Sequence, residues 1–369
     1  VPDAEETKAL TGLDLYKQGI QPVWLKLENT GSAPARAALW SIDRDYFSPI
    51  EVAYMNRGPF TSGAYDQMQR WFYENRLQRF VPAGESRSGL VFTHFKPGTK
   101  GLNLDVFSSR INYSFTFFVP MPGFKADYTQ VDFAALYDQG EVRQLDPAGL
   151  KILLEEEFPC CSEGPNEGDQ GGPLNVALVG TPLALRRALL RGGWEETEAE
   201  SEETRRARAH LFRGRAADAI FQIERKDGDE RIALLLWRAP WDVDGEAGWI
   251  GMVFFTVFDK GLLLQLKTGR SIRDSKLLSA FVKESVSADL DGAQRFLLQN
   301  FWYNQSLARL GVVTGVGRST VENPRVSFDG VGYYTDGNRD VLFLSETPIA
   351  LDKVEILYGQ DFLRAGMKK

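Results

Sequence analysis

The sequence predicts a multidomain chain of class β plus α+β: a small antiparallel β-sandwich, then an α+β domain with a mainly antiparallel sheet and a long amphipathic helix. Three observations carry this. Residues 1–123 are punctuated by short alternating runs bounded by Gly, Pro and Ser, the pattern of a sandwich. From about residue 173 strand-like and helix-like runs are interspersed. The chain has 369 residues, 43% of them hydrophobic and 12% aromatic, enough for two or three buried cores.

The first strand is "PVWLKLEN", where Val23, Leu25 and Leu27 alternate with Trp24, Lys26 and Glu28. "TGSAPA" supplies a turn, and "RAALWSI" is the expected hairpin partner. At about 61–80, "TSGAYDQMQRWFYENRLQRF" places Tyr65, Met68, Trp71 and Phe72 at helical spacing, which predicts a helical insertion packed on the sandwich. "AGESRSGLVFTHF", "GLNLDVFSS" and "INYSFTFFVP" complete the strands.

Residues 124–172 read as a connector with one helix, capped by Asp146 with Pro147 in its first turn and stopped before Pro159. Next come Cys160 and Cys161, then "SEGPNEGDQGG", too polar for a core element and expected as a surface loop. Residues 173–369 form the α+β domain. "LNVALVG" is a buried-type strand leading into a helix with Thr181 as cap, Pro182 at its first position and Gly192 or Gly193 at its end.

"AIFQIER", "ERIALLLWRAP" and "GWIGMVFFTVFD" are strands, the first two joined by a "KDGDE" turn. The acidic-to-basic run "WEETEAESEETRRARAHLFRGR" predicts a solvated helix, with a docking surface as the sharper alternative. A long helix is expected from about Ala288 to Leu310, with Phe296, Leu297, Phe301, Leu307 and Leu310 on one face.

The formal charge of -7, without a dense basic stripe, argues against nucleic-acid partners, whose phosphates need Lys and Arg. No apolar run is long enough to predict a transmembrane segment. The opening "VPDAEETKAL" fits a product whose leader was removed.

Several motifs carry a family resemblance. They are "FPCC" with its loop, "GGPLNVALVG", "GGW", "WRAP", "GWIG", "ADLDGAQRFLLQNFWYNQSLARLGVVTGVG" and "YYTDGNRDVLFLSE". In these the chain resembles the LssY C-terminal domain family from roughly Leu150 onward. Residues from "GIQPVWLKLEN" through "SIDRDYFSPIEVAY" resemble the immunoglobulin-like domain that precedes it in standalone envelope or secreted members. The resemblance implies the bacterial cell envelope, periplasmic or outer-surface, with lipid anchoring through a removed N-terminal segment as one route. It implies no lipid-phosphatase chemistry, which belongs to a different module. The chain departs from the pattern where an "RxHxRLW"-like strand is expected, since Arg231 to Trp237 read "RIALLLW". A His expected before the Asp-x-Asp helix is missing near Ser285.

Two constellations are candidate sites. Cys160 and Cys161 are the only cysteines, and with His94 and His210 as the only histidines the spacing does not suit zinc. A preceding helix C-terminus would disfavour a thiolate there. The pair therefore reads as a structural or redox loop, either free thiols or a vicinal disulfide. Asp289, Asp291 and Arg295 open the long helix, where carboxylates complement the dipole and Asp291–Arg295 form an i, i+4 pair. With Asp336 of "YTDGNR" they make a candidate binding set, to which the aromatic Trp302 and Tyr303 add a partner-binding patch.

No catalytic residue, metal or cofactor is predicted. The function expected is non-enzymatic binding or scaffolding in the envelope, with an envelope protein or lipid-linked partner. The alternatives are a metal-dependent hydrolase using Asp289, Asp291 and Asp336, and a carrier of an apolar ligand or lipid in a cavity lined by Phe254, Phe258 and Phe296.

Overall fold

The computed structural model describes residues 1–43, 46–58, 60–95, 100–119, 126–133, 135–138, 140–197, 205–225, 230–259 and 283–358. The chain is mixed α/β, mostly strands in several sheets with some helices. It divides into two compact units, Val1–Phe124 and Lys125–Lys369.

The first unit contains helices α1 (Ala4–Thr11), α2 (Pro49–Met55) and α3 (Ser62–Asn75). Its strands are β1 (Ile20–Glu28), β2 (Ala35–Ala38), β3 (Phe80–Val81), β4 (Ser86–His94), β5 (Lys100–Ser108) and β6 (Ile111–Val119). They form two antiparallel sheets, β1-β4 and β3-β2-β5-β6. Strand alternation divides β4 between two cores. Leu90 and Phe92 join Phe72 of α3 and Val52 of α2, while Val91 joins Leu77 and, from the wider sheet, Ala37 and Leu104.

The expected β1–β2 hairpin does not form: β1 pairs with β4, and β2 pairs with β3 and β5. The cause is Asn29, just past β1, whose side-chain amide donates to the carbonyls of Ala33, Val81 and Pro82. These bonds pin the chain to the 81–85 turn, so the segment after the "TGSAPA" turn leaves β1 and enters the other sheet.

The second unit is built on ten strands in the order β11-β14-β15-β16-β10-β21-β18-β22, with β7 also paired to β15 and β17 to β16. The strands are β7 (Arg143–Leu145), β10 (Val176–Val179), β11 (Glu195–Glu196), β14 (Ala219–Arg225), β15 (Glu230–Val243), β16 (Glu246–Asp259), β17 (Lys283–Val286), β18 (Leu307–Val313), β21 (Arg339–Leu344) and β22 (Glu355–Tyr358). Most pairs are antiparallel, and β10–β21, β7–β15 and β18–β22 are parallel.

Both faces of this sheet are covered. Leu178 of β10, Leu234 of β15 and Leu342 of β21 face helices α5 (Pro182–Arg191) and α7 (Leu290–Tyr303). Ala177, Leu235 and Val341 face a second layer. That layer contains α4 (Pro147–Ile152), α6 (Arg205–Arg208), the small sheet β13-β12-β8-β9 and the hairpin β19–β20. Its strands are β8 (Cys161–Glu163), β9 (Gln170–Pro173), β12 (Leu211–Phe212), β13 (Arg215–Ala216), β19 (Arg325–Val326) and β20 (Gly332–Tyr333). Each Val or Leu buried this way contributes about 1.5–3 kcal/mol of transfer free energy.

The segment 124–172, read as a connector, lies inside the second unit from residue 125 onward and supplies β7, α4, β8 and most of β9. The fully buried Arg339 holds part of it in place, donating to the carbonyls of Leu174 at 2.6 Å, Leu154 at 3.1 Å and Pro159 at 3.0 Å. Burial lowers the Arg339 pKa to about 9, which keeps it a cation at neutral pH.

The β10–α5 turn forms as its residues dictate: Thr181 Oγ1 accepts from the Ala184 N–H, and Pro182 occupies the first turn. The long helix is shorter than its periodicity predicts. It stops at Tyr303, and Leu307 and Leu310 are buried residues of β18. Gln305 takes a left-handed φ of 65°, and Asn304 Oδ1 accepts from the Ser306 N–H, so "NQS" turns the chain out of the helix. The β14–β15 hairpin is present, its turn at 226–229 lying outside the described residues. In the acidic-to-basic run, Glu195–Glu196 are a strand rather than a helix, Arg205–Arg208 are helical, and 198–204 lie outside the described residues.

Candidate functional site

The N-terminus of α7 gathers the predicted carboxylates. Asp289 caps the helix, accepting from the Gly292 N–H at 3.1 Å. Asp291 accepts from the Asp336 N–H at 2.9 Å, and Asp336 accepts from the Asn338 N–H at 2.9 Å. Arg295 does not make the expected i, i+4 pair with Asp291; its nearest carboxylate is Asp289, at 3.8 Å, because Asp291 is turned toward the Thr335–Asp336 turn.

The sequence thus brings Asp289, Asp291 and Asp336 together, and one oxygen of each caps a backbone N–H group. Among the described residues, no group of three or more His, Cys, Asp or Glu is placed to hold a metal ion. Burial raises the Asp291 pKa, and the nearby charges of Asp336 and Asp289 add to the rise. Trp302 and Tyr303 lie about 20 Å away at the other end of α7, so they do not share this site. There Trp302 donates to the Leu351 carbonyl at 3.2 Å, while Tyr303 is exposed.

Sequence reasoning missed a fourth carboxylate, Asp340, at the second position of β21. Burial pushes its pKa up to about 7, opposed by a hydrogen bond with Gln294 of α7 and reinforced by Asp336 and Asp291. The available signal was an Asp inside the apolar run "RDVLFL", where a strand interior rarely carries charge.

On the opposite face of the sheet lies a cavity of about 70 Å³, below the ~300–1,000 Å³ of drug-sized ligand sites. Its lining includes His210, Met252, Phe254, Asp329 and Tyr333. The expected carrier cavity differs: Phe254 lines this one, Phe296 packs in the core on the other face, and the Phe258 side chain lies outside the described residues. Arg231 and Ala233, where the family pattern would place Arg and His, both line the cavity.

Beside the cavity, the buried Ser162 Oγ lies 3.0 Å from His210 Nδ1 and donates to the Gly172 carbonyl at 3.1 Å. The Gly172 N–H also points at Nδ1, at 3.4 Å. A side chain at Gly171 would strike Ser162 Oγ, so glycine lets the strands close over this pair.

Cys160 and Cys161 are joined by a disulfide, with Cα atoms 3.7 Å apart. Cys161 is buried and begins β8. The Arg325 guanidinium reaches both sulfurs, and the Gln170 amide donates to Cys160 Sγ.

In the first unit, β6 ends its sheet, and among the described residues no strand pairs with its outer edge. Phe115 and Tyr113 sit opposite Leu104 and Val106 of β5, hence on the face that carries the core. The other sheet has only two strands and does not reach them: Ile111, Tyr113, Phe115 and Phe117 remain 45–55% exposed.

These features define, in the second unit, an α+β domain whose large sheet is covered on both faces. Residues 162–338 match the family model described as the LssY C-terminus. This unit therefore carries an LssY C-terminal domain. The match contains Ser162, His210, Asp289, Asp291, Arg325 and Asp336, and begins just after Cys161. No curated protein and no solved structure shows significant similarity to the chain. Among the described residues, no helix is long and apolar enough to cross a membrane.

Proposed function

We propose that this chain is a non-enzymatic binding protein of the bacterial envelope that captures an extended segment of a partner protein along β6. The observation that carries the reading is the uncovered edge strand "INYSFTFFV". It runs nine residues in unbroken register with β5 and contains no charge, no Pro and no bulge. Natural proteins protect exposed edges with such devices, because free N–H and C=O groups and apolar side chains recruit other strands. An edge left bare, with Ile111, Tyr113, Phe115 and Phe117 on one face, offers hydrogen bonds for affinity and an aromatic row for specificity.

The reading of the first unit as an immunoglobulin-like sandwich belongs to the same proposal, supported by its two antiparallel sheets. The envelope location rests on the family resemblance. The test is capture of the partner from native membranes by the wild-type chain and by Phe115→Lys. Loss of a specifically captured protein in the variant is the expected result. Equal capture by both, or none by either, rejects the edge as the binding surface.

A further inference from the structure

The surroundings of the cysteine pair suit its reduced form better than its oxidised one. A neutral disulfide gains little from a cation, whereas a thiolate gains strongly from charge-assisted hydrogen bonds. Arg325 Nη2 lies 3.4 Å from Cys160 Sγ and 3.5 Å from Cys161 Sγ. Gln170 Nε2 donates to Cys160 Sγ at 3.3 Å, and the Tyr333 hydroxyl is 3.9 Å from Cys161 Sγ.

The guanidinium is held in this position. Its Nη1 donates to the Val316 carbonyl at 2.8 Å, and its Nη2 to Gln170 Oε1 at 3.3 Å. Among the described residues no carboxylate forms an ion pair with Arg325, so its charge is available to the sulfurs. The nearby helical end at Glu157, which by itself would disfavour a thiolate, is opposed by a full charge in direct contact.

We propose that Cys160–Cys161 is a redox-active cystine, with Arg325 and Gln170 as the residues that stabilise its thiolate. The co-reactant is a dithiol, either a small molecule or a protein of the disulfide-reductase class. Its thiolate attacks Cys160 Sγ, on the less buried residue of the pair. A new intermolecular S–S bond forms, the Cys160–Cys161 bond breaks, and Cys161 Sγ leaves with the electron pair beside Arg325 and Tyr333. The second thiol of the co-reactant, deprotonated by solvent, then attacks its own sulfur in the mixed disulfide and expels Cys160 as a thiolate. The cysteine pair has gained two electrons and the dithiol has become a disulfide. Both chain thiolates take protons from solvent as far as their pKa values allow.

The test has two readings on the full chain. First, dithiothreitol under native conditions should make both cysteines reactive to maleimide, with none reactive before reduction. Free thiols before reduction, or a bond that opens only in denaturant, overturn the proposal. Second, the thiolate absorbance of the reduced protein should rise with a midpoint below about 7.5, against about 8.5 for an unperturbed thiol. Arg325→Met should move that midpoint up by about one pH unit or more, a tenfold loss of thiolate at pH values below both midpoints. Arg325→Lys should recover part of the shift. A wild-type midpoint near 8.5 overturns the assignment, as does one that Arg325→Met leaves in place. If Arg325→Met does not fold, the wild-type midpoint and that of Gln170→Leu decide.

Discussion

Strand β6 in the first unit, "INYSFTFFV", and strand β15 in the large sheet, "ERIALLLWRAPWDV", are both rich in apolar residues and end in opposite environments. Both pair over long, mostly regular registers. Yet Leu234, Leu235, Leu236 and Trp237 of β15 are fully buried, while every second residue of β6 from Ile111 to Phe117 is about half exposed. The difference lies in the cover. Helices and a second layer cover the large sheet on both faces, whereas two strands lie over four in the first unit. Hydrophobicity along a strand therefore reports that it pairs; what lies above it decides whether it is core or surface.

The sharpest test of that contrast is Trp237→Ala. It removes a fully buried indole and its hydrogen bond to the Arg215 carbonyl, and should cost about 3–5 kcal/mol in chemical denaturation. Next is Arg339→Met, which leaves the Leu174, Leu154 and Pro159 carbonyls without their donor; a loss of about 2–4 kcal/mol is expected.

Asp340→Asn should act in the opposite direction and only at higher pH. Its folded pKa lies above the unfolded value, so the folded state binds the proton more tightly. Wild-type stability then falls as pH rises from the ordinary carboxylate range to about 7. The variant, which has no charge to bury, should be more stable by about 1–3 kcal/mol near pH 8 and equal to wild type near pH 4, read from denaturation midpoints at each pH. Phe115→Lys should change stability by less than about 0.5 kcal/mol while abolishing partner capture. A large destabilisation there would mean that β6 is core after all and would erase the contrast.

What the sequence made legible follows from the range of the interactions. The Thr181–Pro182 start of α5, the Asp146 cap of α4 and the gathering of Asp289 with Asp291 are set by neighbours a few residues apart. The β1–β4 pairing was hidden because Asn29 selects it through carbonyls more than fifty residues away. The end of α7 was hidden because Leu307 and Leu310 continue the helical period while Gln305 breaks it. At the cysteines, the local helix end argued against a thiolate, and the cation opposing it comes from Arg325, 164 residues later. Asp340 was missed because its burial comes from packing of β21 between β10 and β18.

The parallel pairing of Val176 with Asp340 at the centre of the large sheet also sets an order on synthesis. At ribosomal rates of about 5–20 residues per second, β10 leaves the ribosome on the order of ten seconds or more before the strand that completes it. Over that interval β16 can join one edge of β10, but the other stays open, and the carbonyls that Arg339 will satisfy have no donor. Translation of this domain thus leaves one edge of its most buried strand unpaired until nearly the whole chain has been made.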